Sequence, residues 1–105
     1  MKTSRIPSAR PELICSCRNN QAEIGTINWF GVHATSMGNK NHLISADNKG
    51  YASYLFEKAK GTDYSAPETF VAAFAQSNEG DVSPNILGGE NGGGADDFES
   101  TAISG

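Results

Sequence analysis

The stretch Ile24-Gly25-Thr26-Ile27-Asn28-Trp29-Phe30-Gly31-Val32 decides how the rest of this chain is read. It is rich in β-branched and aromatic residues, which fit a pleated surface better than a helix. On alternation, Ile27, Trp29 and Gly31 fall on one face and Asn28, Phe30 and Val32 on the other. Bulky apolar groups on both faces predict a strand covered on both sides. Upstream, Leu13 to Cys17 is also strand-like, and Arg18-Asn19-Asn20-Gln21 separates the two runs. That pattern predicts a β-hairpin with an asparagine-containing turn.

Downstream, residues 33–46 are rich in Ser, Thr, Asn and Gly and predict an ordered loop. Ser45 or Asp47 can cap a helix over about residues 48–60. Within it Tyr51, Ala52, Tyr54, Leu55, Lys58 and Ala59 follow helical spacing and predict one packed face. Gly61 is a natural stop, and Gly61 to Glu68 reads as a loop holding Pro67. Phe70 to Ala75 is a short apolar run bounded by turn residues, which favours a buried strand. The stretch Gly88 to Gly94 is glycine-rich and predicts a mobile loop, and residues 96–105 predict the start of a helix. Residues 1–11 are polar and proline-punctuated and predict an unstructured leader. The fold class expected is therefore α/β: a hairpin, a helix and a buried strand over residues 12–105, as one marginal domain or part of a larger one.

Composition sets limits on function. The chain has 105 residues, a hydrophobic fraction of 37% and twelve glycines, thin resources for a self-sufficient core. A formal charge of −4 argues against a phosphate-tracking surface, so no nucleic-acid partner is expected. No apolar run approaches the roughly twenty residues that span a bilayer, and the first residues lack the continuous apolar core of a secretory signal. Cys15-Ser16-Cys17 is too tightly spaced for an easy disulfide, and no further thiolate or imidazole lies close in sequence to complete a metal site.

Two places combine polar side chains with the end of a strand. His33 directly follows the apolar strand that ends at Val32. An imidazole there can bind a metal through one ring nitrogen while the other is held by an acceptor. It can equally be an ordinary hydrogen-bonded residue. The second place is Gly80-Asp81-Val82-Ser83-Pro84-Asn85. A serine after a strand can be a nucleophile if a base or metal eases the loss of its proton. Ser followed by Pro is also a common helix start. Asp81 can serve as acid or base, but its position suits a loop-orienting hydrogen bond better.

These residues carry a family resemblance. Asn28-Trp29-Phe30-Gly31-Val32-His33-Ala34-Thr35-Ser36-Met37 is similar to a segment of the neutral ceramidases. The likeness continues through Asn41-His42-Leu43-Ile44-Ser45-Ala46-Asp47-Asn48-Lys49-Gly50-Tyr51-Ala52 and resumes from Phe70 to Asn85. The resemblance implies a zinc-dependent amidase that hydrolyses the N-acyl bond of ceramide to sphingosine and a fatty acid. It implies His33 as a zinc ligand and Ser83 as the catalytic nucleophile, with Asp81 as structural support. It also implies work at a membrane surface by a secreted or membrane-associated enzyme. The family's zinc site draws on another histidine upstream and on a glutamate and a tyrosine downstream, and none of the three falls within these residues. A catalytic zinc normally needs three protein ligands. The chain is thus expected to be a partial and inactive piece of the enzyme. The competing expectation is a truncated, non-catalytic protein that is unstable or binds a partner through exposed strand edges. The residues do not decide its oligomeric state.

Overall fold

The structure, a computed structural model, describes residues 13–20, 22–80, 82–84, 86 and 99–104. The expected leader, the glycine-rich run and Asp81 lie outside these residues. Strand β1 (Leu13–Asn19) and strand β2 (Ala22–Phe30) form the expected antiparallel hairpin. Asn20 sits at φ 53°, a left-handed conformation that asparagine tolerates better than most residues, and it opens the turn. The pairing shifts between Cys17–Gly25 and Arg18–Glu23, which leaves Ile24 unpaired as a bulge in β2.

Helix α1 (Asp47–Lys60) follows, then strand β3 (Val71–Gln76), then the short helix α2 (Glu99–Ser104). The sheet order is β1-β2-β3, and β3 runs parallel to β2 from Gly25↔Val71 to Phe30↔Gln76. A parallel neighbour needs a crossover, and α1 with its two loops supplies it. Gly25 is required where the pair begins: a β-carbon there would lie 2.9 Å from the Val71 carbonyl oxygen. Gly61 ends α1 at φ 72° and ψ 33°, and its N–H and that of Thr62 donate to the carbonyls of Lys58 and Glu57. This is a Schellman ending, and the stop expected from sequence is where it was expected.

The start of α1 differs in detail. Ala46 occupies the cap position without a side-chain bond. The early N–H groups are instead met by Ser45 Oγ, which accepts from Asp47, and by Asp47 Oδ1, which accepts from Asn48. The packed face of α1 matches the expected one only in part: Tyr51 and Ala52 are half-buried. Tyr54, Leu55, Lys58 and Ala59 are exposed. The contact with the sheet runs through Phe56, whose ring lies 5.7 Å from that of Phe70 and 6.3 Å from that of Phe74. Glu57 adds a bond to the edge of β3, its Oε1 accepting from the Ala72 N–H at 3.0 Å. Lys60 reaches Glu23 Oε2 on β2 at 2.8 Å and stacks its ammonium over Phe70. The helix has thus turned toward an aromatic pair, Phe70 just before β3 and Phe74 on it. Helical spacing within the segment could not foresee that.

The second departure is burial. Both strands were expected to be covered, yet among the residues whose burial is described Ala72 is the single buried apolar side chain. Trp29 and Phe30 are half-buried, and Val71 is 56% exposed at the open edge of the sheet. The sequence prepares these strands for covering layers that the described residues do not supply.

Candidate functional site

Because β2 and β3 are parallel and in register, they end side by side at Phe30 and Gln76. The carboxyl ends of adjacent parallel strands are where open α/β sheets gather functional groups. The chain leaving β2 carries His33, and the chain leaving β3 carries Glu79, Val82 and Ser83. Two bonds tie these exits together. The His33 backbone N–H donates to the Val82 carbonyl at 3.0 Å, and the ring Nδ1 lies 2.9 Å from the same oxygen. His33 and Ser83, fifty positions apart in the chain, are therefore brought to one corner, with Ser83 exposed to solvent beside the tether.

The ring's environment fixes its tautomer. Nδ1 faces the Val82 carbonyl and, at 3.5 Å, the Glu79 carboxylate. Both are acceptors, so they favour a proton on Nδ1, which in the neutral ring leaves the lone pair on Nε2. The side chain is 41% exposed. A backbone carbonyl on one ring nitrogen and a free lone pair on the other is the usual state of a metal-binding or general-base imidazole.

The first turn of α1 builds the floor of this corner. Asp47 is buried, and its two carboxylate oxygens accept from the Ser36 and Met37 N–H groups, both at 2.9 Å. It adopts φ 52°, an unusual conformation for a residue with a β-carbon, at the point where the loop turns into the helix. Burial pushes the Asp47 carboxyl up, but the N–H groups of Met37, Asn48 and Ser36 outweigh it and hold it below its ordinary value. Asn48, 3% exposed, donates from Nδ2 to the His33 carbonyl and to Ser36 Oγ, each at 3.0 Å. Lys49 donates to the Val32 carbonyl. Burial lowers the Lys49 ammonium below its ordinary value, and the nearby Glu79 and Asp47 charges partly offset this. Gln76 donates to Glu79 and holds that carboxylate near the imidazole.

Asp47, Asn48, Lys49 and Glu79 were missed as individual contributors by reading the sequence, although all four lie in the stretches that carry the family likeness. The signal available was the run of three polar residues opening a helix straight after a loop rich in Ser and Asn. Asp81, the expected support, is outside the described residues. Val82 to Pro84 have irregular backbone.

As to metal, His33 has the geometry of one ligand, but among the described residues no three His, Cys, Asp or Glu side chains gather into a metal site. Cys15 and Cys17 are free thiols on β1, apart from this corner. Among the described residues no helix is long and apolar enough to cross a membrane.

Comparison with known proteins gives consistent matches. The sequence model of the family described as neutral/alkaline non-lysosomal ceramidase, N-terminal, matches residues 12–103. Neutral ceramidase A of Dictyostelium discoideum is 67% identical over 64 residues, covering 59% of this chain and 9% of that protein. Among solved structures, a ceramidase complexed with C2 superposes with a TM-score of 0.62 at 44% identity, over 86% of this chain and 14% of that one. The neutral ceramidase of Pseudomonas aeruginosa superposes at a TM-score of 0.53 with 52% identity, over 67% of this chain and 11% of that one. The chain thus spans about a tenth of the length of the relatives it matches.

Proposed function

The chain belongs to the neutral/alkaline non-lysosomal ceramidase family, and from that membership we propose that it is a segment of a zinc-dependent amidase that hydrolyses the N-acyl bond of ceramide to sphingosine and a fatty acid. The observation that carries this is the pair of hydrogen-bond contacts from the His33 N–H and Nδ1 to the Val82 carbonyl, which puts the imidazole beside the residue that precedes Ser83. His33 serves as one ligand of the zinc, and the remaining ligands come from beyond these residues. Bound there, zinc would supply Lewis-acid polarisation of the amide carbonyl. Ser83 supplies the hydroxyl that attacks the acyl carbon, and Asp81 supports its loop. The lipid substrate implies work at a membrane surface by a secreted or membrane-associated enzyme.

The chain alone is inactive in this proposal. Among the described residues it offers a single imidazole of the metal set, and the sheet stays uncovered. The test has two arms. The purified chain should release no fatty acid from a fluorescent short-chain ceramide. A complete ceramidase carrying this segment should cleave that ceramide, and should lose the activity in the Ser83→Ala variant without losing zinc. Cleavage by the purified chain would overturn its inactivity. Full turnover by Ser83→Ala would overturn the role of the hydroxyl.

A further inference from the structure

We propose that Asn48 is the positioning residue for His33: its side-chain amide clamps the histidine's backbone so that the ring presents Nε2 in one fixed direction. This rests on His33 being the working imidazole of the proposed function. It adds a residue to which neither the family likeness nor the site chemistry assigns a role.

The clamp is built from three peptide contacts. The peptide before His33 is held at both ends, since Lys49 donates to the Val32 carbonyl and the His33 N–H donates to Val82. The peptide after it is held by Asn48 Nδ2 on the His33 carbonyl at 3.0 Å. With both flanking peptide planes fixed, φ and ψ of His33 are fixed too. Only the ring torsions remain, and the Nδ1 bond to Val82 settles those. Remove the Asn48 amide and the second peptide plane loses its side-chain anchor. A working group must be held to within about 0.5 Å of its productive position, so such an anchor matters.

The orientation of the amide is not arbitrary. The His33 carbonyl can only accept, so the nitrogen of the Asn48 amide must face it. The same nitrogen reaches Ser36 Oγ, on a residue that is fully buried. This leaves Asn48 Oδ1 buried with no partner. A buried acceptor without a donor is destabilising. A residue selected for packing alone would be apolar at this position. The amide is present for its donors, and what they hold is the backbone of His33.

The test reads the ring directly in the full 105-residue chain. The sequence has two histidines, His33 and His42. Histidine-labelled protein therefore gives two sets of ring nitrogen signals, and His42→Gln assigns them. His42 lies in an exposed loop and serves as the unrestrained reference. Wild-type His33 should show the Nδ1–H form as its dominant tautomer. Asn48→Asp, which keeps the shape and loses the donors, and Asn48→Ala should both lose that dominance and move toward the His42 spectrum. Gly61→Ala weakens the far end of α1 without touching the clamp, and should keep the wild-type ring signals. The proposal is overturned if wild-type His33 already resembles His42, or if both Asn48 variants retain the wild-type signals. It is also overturned if Gly61→Ala, at equal helical circular dichroism, loses them equally. Should both Asn48 variants lose their helical signal, Ser36→Ala decides. It removes the second acceptor of the amide, so an intermediate spectrum supports the clamp and a wild-type spectrum overturns it. Ceramide cleavage is not read in any arm, so failure of this inference is distinguishable from failure of the proposed activity.

Discussion

A single carboxylate shows how much of this site depends on charge. Asp47 is buried and accepts three backbone N–H bonds, from Ser36, Met37 and Asn48. Its folded-state pKa is lowered, despite the opposing push of burial. A lowered folded pKa means the stabilisation is present above the unfolded value, about 3.9, and is lost as pH falls through the folded value. Acid should therefore loosen the 33–37 loop before it melts the strands. The expected outcome is an early loss of amide-exchange protection at Ser36 and Met37 below about pH 4, removed as a separate step in Asp47→Asn. A loop and sheet that melt together at all acid pH values would contradict it. At the same scale, Ser83→Ala in a complete ceramidase should cut kcat by about three orders of magnitude or more with zinc content unchanged, checked by turnover and metal analysis on one preparation. The residues around them singled out His33 and Ser83 as candidates. The oxygen that ties them, the Val82 carbonyl 49 positions from His33, was not, because a backbone acceptor carries no signature in sequence.

At the level of elements, the hairpin, the helix with its glycine stop and the short apolar strand were all legible, since each follows from local propensity and turn chemistry. The helix face was not. Among the described residues Tyr54 and Leu55 make no ring contact with the sheet, and Phe56, itself 39% exposed, makes it because Phe70 and Phe74 wait just before and on β3. Tertiary partners decide which of several apolar stripes turns inward, and a local window does not contain them. Two glycines make this scale testable. Gly61→Ala places a β-carbon at φ 72° and should destabilise α1 by about 1 kcal/mol, read as a lower urea midpoint with unchanged slope. Gly25→Val meets the Val71 carbonyl, already 2.9 Å from where the first added carbon would sit. It should open the parallel pair at its start and cost about 1–3 kcal/mol. Protection of the β2 and β3 amides near Gly25 and Val71 should fall while the β1–β2 hairpin amides stay protected. An equal fall in both would mean the sheet unfolds as one unit.

On the scale of the molecule, the decisive fact is the shortage of covered apolar surface. Ala72 alone is a buried apolar side chain among the residues whose burial is described, while Leu43, Ile44, Val71 and Ile103 are each more than half exposed. Burial contributes about 25 cal/mol per Å² of apolar area, so a chain that covers so little has little to set against its backbone entropy. Yet the polar bonds to the Asp47 carboxylate and from the Asn48 amide nitrogen are made, as in a segment that belongs inside a larger domain. Composition hinted at this through its low hydrophobic fraction, but which faces stay bare required the sheet order. The isolated chain should then behave as a loosely held unit that exposes its apolar faces. It should enhance the fluorescence of a hydrophobic dye strongly at neutral pH, and the signal should fall when the same segment lies within a complete ceramidase. Replacing exposed Ile44 and Val71 with serine should reduce dye binding and self-association of the isolated chain without reducing its helical signal. If the isolated chain instead binds no dye and melts cooperatively at the temperature of the complete enzyme, the apolar faces are covered by the chain's own residues, and the proposal that it is one segment of a larger catalytic domain fails.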